Sequence, residues 1–207
     1  MIKIEKILIG TKNKAKIDEI KSVLNSLKAY NFEILDLNNF NLPTPEEIGN
    51  NFYENAKIKA LFYSNLTKIP TIADDGGLII PYLNGEPGVK SRRWLGYEAS
   101  DEELIKYALK KMEKAEGKER VAFLKTCVLF YDPINNFEII KEEMIEGIIA
   151  REPSKRRIEG YPFRSIFIVK EFGKYYDDLT TEEQERINHR IRALKSIVEE
   201  IKKIYRL

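Results

Sequence analysis

The chain has 207 residues, is 43% hydrophobic, and carries 35 Lys and Arg against 33 Asp and Glu for a formal net charge of +2. That length suffices for one domain, or two closely joined lobes, around a sizeable core, and so even a charge balance argues against a nucleic-acid surface. No apolar run approaches the roughly 20 residues of a membrane span, and Met1 to Lys6 lacks the apolar region of a signal peptide, so a cytoplasmic protein with no membrane partner is expected.

Ile2 to Ile9 reads as a strand, and Gly10-Thr11-Lys12-Asn13 turns it into a helix carrying Ile17, Ile20, Leu24 and Leu27 on one face. Phe32 to Leu37 reads as a second strand. After the loop holding Pro43 and Pro45 a helix is predicted from about Asn51 to Asn65, followed by a buried strand that ends at Asp74 where Asp-Asp-Gly-Gly turns. Ser100 with Glu103 forms a capping box for a helix to about Lys114, and Thr180 with Glu183 forms another for a long C-terminal helix. Between them Val121 to Tyr131, Phe137 to Ile149 and Ile166 to Val169 read as strands. No linker or repeat divides residues 1–207, and the element order favours a single α/β domain with a mixed sheet. The single cysteine, Cys127, lies in an apolar run and reads as a buried, inert thiol. Abundant Lys, Glu and Ile would suit a thermophile.

Five segments carry candidate chemistry. In Ala73-Asp74-Asp75-Gly76-Gly77, neighbouring carboxylates at a strand end suit a hard cation such as Mg²⁺, although an Asp-Gly turn without a ligand fits the same residues. Thr11-Lys12-Asn13-Lys14-Ala15-Lys16 opens a helix, where free backbone N–H groups and ammonium groups bind phosphate readily, though basic residues there are also ordinary surface. The stretch from Glu46 to Ala60 supplies acids at a loop and sets Asn55 and Lys59 at i and i+4; alone it reads as a solvated helix start. Gly85-Glu86-Pro87-Gly88-Val89-Lys90-Ser91-Arg92-Arg93-Trp94 is a turn with paired arginines and the only tryptophan. Ile187-Asn188-His189-Arg190 holds the only histidine, which is either a helix-surface or capping residue or, with its polar neighbours, faces a groove.

In this order and spacing the segments resemble the Ham1 family of nucleoside triphosphate pyrophosphatases, the inosine triphosphatase-like house-cleaning enzymes. The family pattern runs Thr-Gly-Asn-x-x-Lys, Glu-x-x-Gly-x-x-Phe-x-x-Asn-Ala-x-x-Lys-Ala, Ala-Asp-Asp-Ser-Gly-Leu, Gly-x-Pro-Gly-x-x-Ser-Ala-Arg, Phe-Gly-Tyr-Asp-Pro-x-Phe and Ser-His-Arg. The resemblance implies two lobes around a central groove, a homodimer, and Mg²⁺-dependent cleavage of a non-canonical purine nucleoside triphosphate to monophosphate and pyrophosphate. Carried over, it makes Glu47 and Asp75 metal ligands, Asp75 also the base toward water, with Asp74 beside them. Lys16 and Lys59 would neutralise the triphosphate, Thr11, Asn13 and Gly76 would line it, and His189 and Arg190 would contact the base, with Arg93 in the Ser-x-Arg segment.

Departures from the pattern fall on recognition. Tyr161-Pro162-Phe163-Arg164-Ser165 stands where the family has Phe-Gly-Tyr-Asp-Pro, so stacking survives through Tyr161 and Phe163 while a carboxylate becomes Arg164. Gln184 replaces a lysine, Asn188 a serine, Lys12 and Gly76 a glycine and a serine, and Lys90 a tyrosine. Two roles are open for Arg164: donating to the O6 and N7 acceptors of a 6-oxopurine, or turning to the phosphates in place of the lysine missing at Gln184. A relative that binds nucleotide with altered base choice or without turnover is the alternative reading.

Overall fold

A computed structural model describes residues 5–206. Its strands are β1 (Lys6–Ile9), β2 (Glu33–Asp36), β3 (Thr71–Ile79), β4 (Val121–Asp132), β5 (Phe137–Ile149), β6 (Phe167–Val169) and β7 (Lys174–Tyr175). Its α-helices are α1 (Lys14–Leu24), α2 (Phe52–Thr67), α3 (Asp101–Lys111), α4 (Thr181–Ile187) and α5 (His189–Tyr205). The strands hydrogen-bond in the order β2-β1-β3-β4-β5-β6-β7. The sheet is mixed: β1 runs parallel to β2 and β3, whereas β5–β6 and β6–β7 are antiparallel. Parallel neighbours need crossovers, and α1 and α2 supply them. The α/β class with a mixed sheet expected from the element order is the one observed.

The chain divides into two compact units. The first comprises residues 1–75, 126–143 and 190–207; the second comprises 76–125 and 144–189. In the first unit Ile17, Ile20 and Leu24 of α1 pack with Ala193, Leu194, Ile197 and Ile201 of α5 on Ile7, Ile9 and Ile72. A smaller apolar group of Leu8, Leu37 and Tyr63 brings in α2. In the second unit Leu104, Ile105 and Ala108 of α3 pack with Leu78, Leu124, Ile149, Phe163, Phe167 and Tyr176. Arg120 closes part of this core as a donor. It is buried, and its guanidinium donates to the carbonyls of Met112, Ala115, Ile149 and Ala150 at 2.7–3.1 Å, satisfying acceptors left at the end of α3 and β5.

Several boundaries differ from the sequence-based expectation. The strand predicted to end at Asp74 continues to Ile79, so the two aspartates and two glycines lie inside β3 and not in a turn. Close approach explains the glycine at 77: a Cβ there would fall 2.2 Å from the Ser91 hydroxyl and 2.8 Å from the Gly88 carbonyl oxygen. The long C-terminal helix is two helices broken at Asn188, whose backbone (φ −57°, ψ 104°) leaves the helical region. Helix α3 stops at Lys111, and the Ile2–Ile4 part of the first predicted strand lies outside the described residues.

Both capping boxes form: Ser100 accepts from the Glu103 amide while Glu103 accepts from the Ser100 amide at 2.8 Å, and Thr180 and Glu183 do the same. Ser100→Ala removes one of these acceptors and is expected to lower stability by about 1 kcal/mol, read as a shift of the urea midpoint with an unchanged slope.

Candidate active site

The first unit gathers eight of the sequence-predicted residues. Asn13 caps α1, its side-chain oxygen accepting from the Lys16 amide at 3.2 Å, and the Thr11 hydroxyl accepts from the Asn13 amide at 3.3 Å. The β1–α1 joint is therefore held by its own polar side chains, and Lys16 rises from the first turn of the helix. Its ammonium lies 2.9 Å from Asp74 Oδ2. The same oxygen accepts from Arg190 Nε at 2.9 Å, while Arg190 Nη1 lies 2.7 Å from Glu19. Asp74 is fully buried, and its other oxygen, Oδ1, has no hydrogen-bond partner.

Asp75 meets a separate set of groups. Lys59 Nζ sits between two carboxylates, 3.2 Å from Glu47 and 3.4 Å from Asp75 Oδ1. Asn55, one turn earlier on α2, donates to Asp75 Oδ2 at 3.1 Å and accepts from the Gly49 amide at 2.8 Å. One amide side chain thus ties the loop preceding α2 to β3. Thr126 adds a bond from its hydroxyl to the Asp75 carbonyl at 3.3 Å. Asn55 and Lys59 are 1% and 7% exposed, so within the segment that reads as a solvated helix start these two side chains form a buried polar pair while Glu46, Asn50 and Asn51 stay exposed.

These neighbours set the charges. Burial works against the Asp74 carboxylate, but the cations of Lys16, Arg190 and Lys59 outweigh it and hold Asp74 ionised far below the usual carboxylate range. Burial raises Asp75 above its ordinary value despite Lys59 and Lys16. Burial alone would lower Lys59; Asp75, Glu47 and Asp74 reverse the sign and keep it above its usual value. Lys16 is lowered, by burial first and then by Arg190 and Lys59.

The remaining candidates lie in the second unit. Gly76 is partly exposed within β3, and Arg93 is exposed at the end of the 3₁₀ turn Gly88–Arg93. Gln184 donates to the Leu179 carbonyl at 3.2 Å, and His189 is 4% exposed, which sets aside a helix-surface histidine. Phe163 is 6% exposed and packs edge-on against Trp94, so its ring is part of the second unit's core. The Arg164 guanidinium is buried over the ring of Tyr161. Arg190, expected at a base, is bound up with Asp74 and Glu19, a buried pair requiring its charge. Asn55 and Glu19 lie outside the sequence-predicted site; the i, i+4 spacing of Asn55 to Lys59 is the available signal for the first, and nothing in the sequence marks Glu19.

With the geometry in place, the comparisons decide the family. The Ham1 family model matches residues 7–200. The chain belongs to the Ham1 family. A dITP/XTP pyrophosphatase from Thermus thermophilus is 37% identical over 98% of this chain and 94% of its own length, and one from Haemophilus influenzae is 34% identical over 92% and 95%. The solved Ham1 protein of Coxiella burnetii matches with a TM-score of 0.85 at 32% identity, covering 97% of this chain and all of that one. A nucleoside-triphosphatase, dITP/XTP pyrophosphatase, from Mycobacterium abscessus matches at 0.76 and 30%, covering 93% and 97%.

Two expectations follow for stability. Arg190→Ala leaves Asp74 and Glu19 short of a buried cation and is expected to cost about 3 kcal/mol in urea unfolding; a ligand-contacting surface arginine would leave the midpoint in place. Asp177, fully buried and facing Arg164, Asp178 and Arg156, is pushed up to about 6, chiefly by burial. Because the folded state holds this proton more tightly than the unfolded chain, its contribution is complete below about pH 4 and is lost as pH rises through about 6. Asp177→Asn is expected to flatten that part of the stability–pH curve, measured by thermal unfolding from pH 4 to 7.

Proposed function

We propose that this protein is a nucleoside triphosphate pyrophosphatase that hydrolyses non-canonical 6-oxopurine nucleoside triphosphates to monophosphate and pyrophosphate, cleaning the nucleotide pool. The observation that carries the reading is the Glu47–Lys59–Asp75 bridge beside the Asp74–Lys16–Arg190 bridge next to the N-terminus of α1, in a chain of the Ham1 family whose relatives are named dITP/XTP pyrophosphatases.

The donor set suits a divalent cation. Among the described residues no group of three His, Cys, Asp or Glu forms a complete cage. Mg²⁺ does not need one, since it takes one or two carboxylates and fills its octahedron with water and substrate phosphate. Glu47 and Asp75 converge on one ammonium and so lie close enough to share a cation, and Asp74 Oδ1 is a further carboxylate oxygen with no hydrogen-bond partner. Glu47 and Asp75 would hold the Mg²⁺, which when bound would polarise the phosphate and neutralise developing charge.

The chain's own residues do the rest. The N–H groups opening α1, with the Thr11 and Asn13 side chains, offer donors to phosphate oxygens, and Lys16 and Lys59 supply fixed positive charge where negative charge accumulates. Asp75 is held on both oxygens, by Lys59 and Asn55, which fixes its plane and lets it accept a proton from the attacking water. Phosphoryl transfer demands positioning and charge neutralisation more than covalent help, and a preformed lattice of buried pairs meets that demand. In the second unit Gly76, Arg93, Gln184 and His189 would contribute to substrate binding, with Tyr161 as the stacking platform for the base.

No described helix is long and apolar enough to cross a membrane; an enzyme that cleans the nucleotide pool would act in the cytoplasm. The family resemblance also carries a homodimer, for which exposed Ile140, Met144 and Ile148 along β5 supply apolar surface.

Incubation with ITP, XTP or dITP and Mg²⁺ is expected to release pyrophosphate and monophosphate in equal amounts; release of orthophosphate alone would reject the reading. Asp75→Asn, which keeps the size but removes the ionisable oxygen, is expected to lower kcat by at least roughly 100-fold with the fold intact. Near-full turnover would remove Asp75 from its role.

A further inference from the structure

Lys12 makes a contact within the first unit that the hydrolysis chemistry does not use. It lies in the joint before α1, and its ammonium donates to the Leu42 carbonyl at 3.1 Å, 30 residues along the chain. Lys12 is exposed and its φ is not left-handed, so a side chain here carries no backbone strain. Glycine, the residue of the family pattern at this position, could not make the bond.

The contact joins two segments that carry separate parts of the site. On one side stand Thr11, Asn13 and the N–H groups at the start of α1, one helical turn from Lys16. On the other is the stretch between Asn39 and Phe52, which forms no helix or strand and carries Glu47. Its far end is tied to α2: the Gly49 amide donates to Asn55 at 2.8 Å and the Asn50 amide to Glu54 at 2.7 Å. Lys12 bonds to its near end. Between these ends the sequence Leu42-Pro43-Thr44-Pro45 is stiff, because each proline ring fixes its own φ and confines the residue before it to extended backbone. A displacement at Leu42 is therefore carried along the segment toward Glu47 and not absorbed within it.

We propose that Lys12 is a positioning residue: by holding the Leu42 carbonyl it sets the stiff segment, and with it Glu47, in register with the phosphate-binding start of α1. The inference rests on the function proposed above and adds to it a residue that aligns the metal-binding carboxylate without touching substrate. Lys59 also meets Glu47, but its ammonium is shared with Asp75, so a cation drawn to both carboxylates would loosen that bond. The bond from Lys12 to a backbone carbonyl lies outside this exchange.

Two variants test this: Lys12→Met keeps the stem and removes the donors, and Lys12→Arg keeps donors. The side chain is exposed, so both should fold. The first measurement is pyrophosphate release from ITP over a Mg²⁺ titration. Lys12→Met is expected to raise the Mg²⁺ concentration for half-maximal rate about 3- to 10-fold, with KM for ITP and kcat at saturating Mg²⁺ within about twofold of wild type, and Lys12→Arg to recover most of the loss. The second is amide hydrogen exchange in protein free of nucleotide and added metal. Lys12→Met should speed exchange at Gly49 and Asn50 by a similar factor, while Leu8 and Gly10, whose amides bond to Pro70 and Ile72, exchange as in wild type. An unchanged Mg²⁺ requirement would overturn the proposal, and together with a raised KM for ITP it would make Lys12 a phosphate contact; unchanged exchange at Gly49 and Asn50 would overturn it too. If the wild-type protein released no pyrophosphate, the proposed function would fall by itself, and exchange alone would then decide whether Lys12 holds the segment.

Discussion

Successive side chains of a β-strand point to opposite faces, and this constraint governs Asp74 and Asp75. Because β3 continues through both, the two side chains leave on opposite faces and their carboxylates bond to different partners. Asp74 meets Lys16 of α1 and Arg190 of α5, the helices whose apolar faces pack on Ile7, Ile9 and Ile72. Asp75 meets Asn55 and Lys59 of α2, which packs with Leu8 through Tyr63. Each helix that covers the sheet thus brings the counter-charge for the carboxylate on its own side. Two sites of different character result from adjacent residues: a locked, ionised aspartate, and one whose carboxyl is raised by burial and tied by weaker bonds.

That division of labour follows from the count of donors. Asp74 receives two full cations on one oxygen, whereas Asp75 receives one shared ammonium and one neutral amide. The first is a structural keystone for α1 and α5. The second keeps exchangeable partners, which suits the base role proposed for Asp75.

Much of this was legible in the sequence because it is written in local chemistry. Both capping boxes, the Asn13 joint and the strands from Val121 onward follow from short-range hydrogen bonding and alternation, and the structure reproduces them within a few residues. What escaped depends on distant neighbours. Gly76-Gly77 looks like a turn until Ser91 is found against residue 77, where only hydrogen fits. The apolar spacing of Ile187, Ile191, Leu194 and Val198 suits one helix, and nothing in it announces the break at Asn188. Arg164, read as a charge inversion facing a ligand, is inward-facing because Tyr176 and Asp177 come to it from another segment. Arg190 likewise has its acids 116 and 171 residues away in sequence.

The burial of these pairs also decides how the protein responds to its ionic surroundings. Surface pairs such as Lys6–Glu33 and Lys170–Glu146 expose half or more of most partners, and dissolved salt weakens them. Asp74 is fully buried and Lys16 and Arg190 are mostly covered, so screening reaches their pairing far less. The arrangement of charges around β3 is therefore less sensitive to ionic strength than the pairs on the outer surface, which adjust to it first.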